Sequence, residues 1–128
     1  MPPIPIDPSA GARRLVELDA DGPELSRFSW FEGAERRRGL LWRHPEGPRA
    51  FLDRCPHWAV ALTHLHDGVL RGDRLRCSVH GAEFDPDGVC VAGPCEGSRL
   101  HPLLVATSGA RLTVSMPAGT VQQIGRGA

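Results

Sequence analysis

Cys55-Pro56-His57 and, after nineteen intervening residues, Cys77-Ser78-Val79-His80 decide how this chain is read, because each short segment carries one thiol and one imidazole. Two thiolates and two neutral imidazoles are the donor set of a [2Fe–2S] centre in which cysteines hold one iron and histidines the other. The same four side chains also complete a tetrahedral shell for structural Zn²⁺. Spacing separates the two readings. Common zinc modules pair like with like, Cys with Cys on one knuckle and His with His on a helix, whereas both segments here are mixed. A mixed segment suits a site where neighbouring residues must reach two different metals.

Outward from the second segment run His80-Gly81-Ala82-Glu83-Phe84-Asp85, then Asp87-Gly88 and Gly93-Pro94. With these residues the sequence resembles the Rieske iron–sulfur family. It reproduces Cys-x-His, a gap and Cys-x-x-His at all four ligand positions, followed by His-Gly-x-x-Phe-Asp, a turn glycine and Gly-Pro. The resemblance covers about residues 12–116 and implies an all-β fold, an antiparallel sandwich or barrel with a cluster-binding subdomain that carries two ligand loops. It also implies that Cys55 and Cys77 bind one iron and that His57 and His80 bind the other, the imidazole-bound iron lying nearer solvent.

Within the family, high-potential members add a disulfide between the ligand loops, and the corresponding residues here are Val60 and Val79, so that bridge is absent. Those members also set a Ser and a Tyr hydroxyl against the cluster sulfurs; here the positions hold Ala82 and Phe84, and the chain contains no Tyr. Each missing donor removes stabilisation of the more negative reduced state. A potential near the low end of the Rieske range is expected, about −150 mV rather than about +300 mV. Ala59 and Ser78 replace the Gly and Pro of many relatives. Neither change removes a ligand, although Ala59 strains its loop if that position needs positive φ.

At 128 residues the chain is expected to form one domain, too short to add the larger mononuclear-iron domain that Rieske-type oxygenases carry. The expected organisation is a Pro-rich arm at 1–11, the cluster domain at 12–116 and a tail at 117–128. Fifteen acidic and fifteen basic residues balance to zero, which argues against nucleic acid as a partner. All the basic residues are Arg, and the one run, Arg36-Arg37-Arg38, reads as a solvated turn. No stretch approaches the roughly twenty apolar residues of a membrane span, and the N-terminus lacks an export pattern, so a soluble, cytoplasmic protein is expected.

Short segments rich in strand formers, punctuated by turn residues, fill the chain from Arg13 onward. Leu15–Leu18 and Phe28–Phe31 read as strands. Hairpins are expected from 39–43 and 49–53 around His44-Pro45-Glu46-Gly47-Pro48, and from 69–70 and 74–76 around Arg71-Gly72-Asp73. Two more join 82–84 to 89–91 and 103–106 to 111–114. The first two hairpins lead into or out of the ligand segments, so rigid strands would hold the donors.

Cys90 and Cys95 read as packing residues, with a disulfide between them disfavoured in a reducing compartment. His64 and His66 do not stand two residues from a Cys, and His44 and His101 look structural. Trp58, next to a ligand histidine, either offers a docking surface with Ala59-Val60-Ala61 or folds back over the cluster. The function implied is that of a soluble Rieske-type ferredoxin, a one-electron carrier and not an enzyme, whose partners are a reductase and an oxygenase or other acceptor. A cluster-bearing accessory subunit resembling the small subunit of assimilatory nitrite reductases and a zinc-stabilised binding module are the alternatives.

Overall fold

Alternation of exposed and buried side chains shapes the first strands. In the computed structural model, which describes residues 12–54, 70–77, 81–93 and 96–117, β1 (Arg13–Asp19) is followed by β2 (Leu25–Glu32). On β2, Arg27, Ser29 and Phe31 face out while Phe28 and Trp30 are buried. Next come β3 (Glu35–His44), β4 (Gly47–Leu52), β5 (Leu70–Arg71), β6 (Arg74–Arg76) and β7 (Glu83–Phe84). The chain then forms β8 (Cys90–Ala92), β9 (Pro102–Ser108) and β10 (Arg111–Met116). The described residues contain no helix, and so none long and apolar enough to cross a membrane.

All pairings are antiparallel, giving a six-stranded sheet ordered β1-β10-β9-β4-β3-β2 and a four-stranded sheet ordered β5-β6-β7-β8. The large sheet curls until its two edges approach, and the Arg13 guanidinium on β1 pairs with the Glu32 carboxylate on β2. The result is a nearly closed barrel, as the resemblance implied. Arg43 clasps the β1–β2 connection, donating to the carbonyls of Asp19 (2.7 Å) and Pro23 (2.8 Å) and to the Ser26 hydroxyl (2.6 Å).

Two apolar clusters share the β3–β4 hairpin. Leu41, Ala50 and Leu52 point into the barrel with Phe28, Trp30, Leu103, Leu112, Val114 and Met116. Leu40, Trp42 and Phe51, on the opposite face, pack under the small sheet with Leu75, Phe84, Cys90 and Leu100. A hairpin buried on both faces reads as an unbroken apolar run instead of an alternating one. Each fully buried Leu or Phe in these clusters contributes about 1.5–3 kcal/mol. At the centre of β2–β3, the Phe28 ring covers Gly39 so closely that a Cβ there would lie 2.4 Å from Cζ.

The expected hairpins are present; β3–β4 and β9–β10 have longer strands and tighter turns than expected, whereas the small-sheet strands are as short as expected or shorter. β3 and β4 are joined by Pro45-Glu46 alone, with His44 paired to Gly47, and β9 and β10 by Gly109-Ala110 alone. His44, read as a turn residue, therefore ends a strand. Arg36-Arg37-Arg38 is also strand and not a solvated turn: it pairs with Phe31, Trp30 and Ser29 in a β2–β3 hairpin that the sequence reading did not anticipate.

Candidate metal centre

Strand β6 delivers Cys77 to the base of the second ligand segment. A two-residue turn, Gly72-Asp73, sets the register, with Gly72 in the left-handed region at φ 62°. Leu75 then faces inward between exposed Arg74 and Arg76, and Cys77 follows, 1% exposed. The Cys77 N–H donates to the Ala82 carbonyl (2.7 Å), and the Gly81 N–H donates to the Cys77 carbonyl (3.0 Å). These two bonds close a neck around residues 78–80. Gly81 holds φ 75° at that neck, a conformation in which any other residue pays a steric cost.

The walls of the neck are dry and tightly packed. Ala82 and Phe84 are fully buried, and a Cβ on Gly93 would lie 2.8 Å from the Ala82 Cα, so the backbone leading to Gly-Pro lies directly on the neck. Asp85 fixes the β7–β8 turn, its carboxylate accepting from the N–H groups of Asp87 (2.9 Å) and Val89 (3.0 Å). Beneath the turn, Gly88 at φ 84° leaves room for the Phe51 ring, 2.6 Å from where a Cβ would stand. Cys90 is buried in β8 with its thiol directed at the Ala92 carbonyl (3.3 Å), the packing role expected of it.

The first ligand segment is rooted in the barrel. The Leu52 N–H donates to the His101 carbonyl (2.9 Å), the Asp53 N–H to the Arg38 carbonyl (3.1 Å) and the Arg54 N–H back to the Leu52 carbonyl (2.9 Å). Asp53 is itself buried. Cys55 follows directly in sequence, and the chain re-enters the described structure at Leu70, paired to Leu75 on the strand that leads to Cys77. Both candidate segments thus start from hydrogen-bonded strand ends that belong to one packed unit.

Of the four expected ligands, only Cys77 lies among the described residues; Cys55, His57 and His80 lie outside them, as do Trp58, Ala59, Val60, His64, His66, Ser78, Val79 and Cys95. Accordingly no group of three or more His, Cys, Asp or Glu converges on a metal-sized site among the described residues. What can be tested on Cys77 fits a cluster. Its thiol is enclosed by the apolar cluster of Leu75, Ala82, Phe84 and Leu100, which keeps water from the protein side of a metal–sulfur bond.

His44 and His101 are structural, as expected. His44 is buried, its Nε2 2.5 Å from Asp73 Oδ1 and its ring edge-on to Trp42. His101 is partly buried, and desolvation lowers its pKa from the ordinary 6.5, against the backbone carbonyls of Pro102 and of His101 itself, which act in the opposite sense. The unfolded chain therefore binds the proton more readily. His101's contribution to stability is intact above pH 6.5 and is lost as pH falls through the window below it. Urea midpoints measured across that window should fall less steeply with acid for His101→Gln than for the parent, and parallel profiles would exclude this role for His101.

The comparisons with known proteins agree with this geometry. The chloroacetanilide N-alkylformylase oxygenase component of Rhizorhabdus wittichii is 47% identical over 59 residues, which make up 45% of this chain and only 16% of that protein. The chain thus matches a small part of the curated relatives' length. Among solved structures, the ferredoxin of carbazole 1,9a-dioxygenase from Nocardioides aromaticivorans IC177 superposes with a TM-score of 0.57 at 20% identity, covering 82% of this chain and 97% of the ferredoxin, a likeness of fold. Dicamba monooxygenase superposes with a TM-score of 0.56 at 27% identity over 79% of this chain and 34% of its own. The model of the Rieske [2Fe-2S] domain matches residues 31–114, from the end of β2 through both ligand segments to β10, and the chain therefore belongs to the Rieske [2Fe–2S] family, with a [2Fe–2S] cluster as its cofactor.

Proposed function

We propose that this chain is a cytoplasmic one-electron carrier that passes electrons from a reductase to an acceptor such as an oxygenase. Residues 12–116 form its cluster domain. The observation that supports the reading is that a chain of the Rieske [2Fe–2S] family takes the fold of a ferredoxin, 97% of which it overlays. Cys55 and Cys77 hold one iron and His57 and His80 the other. When bound, the cluster accepts and releases a single electron. The chain's own part is to fix the donors on the β4 end and the β6–β7 neck, to exclude water behind Cys77 with Phe84 and Leu100, and to leave the histidine side as the exit.

Ala82 and Phe84 set the potential. Both are fully buried where a hydroxyl would otherwise stabilise the reduced state. A redox titration of the purified protein is expected to give a midpoint of about −150 mV, with the reduced protein giving a paramagnetic resonance signal. A midpoint well above zero contradicts the assignment of Ala82 and Phe84, and a colourless, silent protein contradicts the carrier reading.

A second reading is favoured by two relatives named as an oxygenase component and an oxygenase subunit: the chain would serve as the cluster-bearing accessory subunit of a larger redox enzyme. Stoichiometric co-purification with a catalytic subunit distinguishes this from a freely diffusing carrier.

A further inference from the structure

The two ligand segments grow from different sheets. Cys55 follows β4 of the barrel and Cys77 follows β6 of the small sheet, so the place of the second thiol relative to the root of the first depends on how one sheet sits on the other. Leu40, Trp42 and Phe51 supply the apolar side of that contact. Apolar burial is non-directional, and it holds the sheets together better than it fixes their register.

Direction comes from the tip of the β3–β4 hairpin. His44, paired to Gly47 at that tip, is buried and reaches Asp73 in the β5–β6 turn, its Nε2 standing 2.5 Å from Oδ1. The Glu46 N–H donates to Nδ1 of the same ring at 3.1 Å, which leaves the ring proton on Nε2, aimed at the carboxylate. Arg49 reaches the next turn. Its Nη1 donates to the Pro86 carbonyl at 3.0 Å in the β7–β8 turn and lies 3.7 Å from Asp87 Oδ1, while its Nε donates to the Gly47 carbonyl of its own hairpin at 3.1 Å. Each side chain is thus anchored at its root and bonded across the sheets at its end. The two turns bracket the antiparallel pair β6–β7, whose other end is the neck at Cys77. Four residues separate Asp73 from Cys77, about 13 Å of strand, so a tilt or slip at the clamped end is carried to the thiol.

We propose that His44 and Arg49 are positioning residues of the metal centre, a two-point polar clamp that holds the small sheet on the barrel in the register that lets Cys77 and Cys55 share one iron. The ligand roles of the two cysteines rest on the carrier reading above. Both clamp residues act through Cys77, and neither is a ligand. Donors that the protein already holds at the productive separation bind metal more tightly and release it more slowly than donors that must be gathered.

Release of iron into excess EDTA, followed in the oxidised holoprotein by loss of visible absorbance, tests the clamp. Asp73→Ala is expected to release iron about fivefold faster than the parent, Arg49→Gln about threefold and Asp73→Ala/Arg49→Gln more than about tenfold. Asp73→Asn should stay within about twofold of the parent, because its amide oxygen still accepts from His44. Arg111→Gln breaks an exposed ion pair with Asp19 on the barrel. Its small cost in urea midpoint matches that of the exposed Asp73 contact, yet it should release iron at the parent's rate, which separates loosened ligands from a less stable fold. The paramagnetic signal of the reduced protein should broaden in Asp73→Ala and not in Arg111→Gln. Parent rates in Asp73→Ala and Arg49→Gln, equal acceleration in Arg111→Gln, or Asp73→Asn as fast as Asp73→Ala overturns the clamp. In a coloured, reducible protein any of these outcomes loses the clamp alone. A colourless protein loses the carrier reading, and zinc release from the same variants must then follow the same order for the clamp to stand. A parent that holds neither metal overturns both.

Discussion

Cys77→Ala is expected to purify with less than about a tenth of the parent's visible absorbance, because the role proposed for Cys77 is ligation and a lost ligand costs more than the 10–100-fold typical of residues behind the ligands. The argument is local. Cys77 stands at a neck closed by its own backbone bonds to Ala82 and Gly81, so no neighbouring donor slides into its place. Cys90 is the control: it is equally buried in the same apolar cluster, but its thiol is turned to the Ala92 carbonyl. Cys90→Ala should keep the colour and cost about 1 kcal/mol of stability for a small cavity. Cys77→Ser separates ligation from packing, since a hydroxyl enclosed by Leu75, Phe84 and Leu100 without a partner costs about 1–3 kcal/mol. The cluster-free serine protein should therefore unfold at lower urea than the cluster-free alanine protein. Retained colour in Cys77→Ala, or its loss in Cys90→Ala, would reverse the roles assigned to the two thiols.

The roles proposed for the two thiols come from the sequence, because ligand chemistry is local. Cys77-x-x-His80 and the following Gly81 state their donors and their turn within a few residues. Turns built on Gly72-Asp73, Asp87-Gly88 and Gly109 were equally plain, since positive φ at glycine leaves a signature. The β2–β3 hairpin was not legible. Arg36, Arg37 and Arg38 look alike on paper, yet their strand sends Arg36 and Arg38 outward and turns Arg37 toward the half-hidden side opposite Trp30. Three like charges in a row conceal a period of two. Gly39-Leu40-Leu41-Trp42 hides it in the other direction, because both faces are buried. Nor does any short-range pattern announce how closely Gly93 lies on Ala82, one step beyond the Glu83–Ala92 pair of the β7–β8 hairpin and set by the register shift within it.

Burial on both faces of β3 leads to the second large effect, expected for Trp42→Ala. Trp42 is fully buried between barrel and small sheet, its indole N–H directed at the Glu24 carboxylate (3.4 Å) and its ring met edge-on by His44 at 5.2 Å. His44 in turn pairs with Asp73 in the turn that precedes β6 and Cys77. Truncation removes about 3–5 kcal/mol, a large share of the roughly 5–15 kcal/mol that a domain possesses. Each kcal/mol lowers the melting midpoint by about 4–8 °C at this size. Phe28→Ala, on the barrel side of the same ribbon, should cost a similar amount, but the two losses differ in kind. Phe28 packs with Leu112 and Met116, far in the contact network from the cluster, whereas Trp42 shares its apolar cluster with Cys77. On heating, Phe28→Ala should lose visible absorbance and β-sheet ellipticity together. In Trp42→Ala the small sheet loosens from an intact barrel, so absorbance should fall before ellipticity does. Coincident transitions in both variants would mean that the two clusters melt as one unit and that the β3–β4 hairpin transmits damage across itself as readily as within either face.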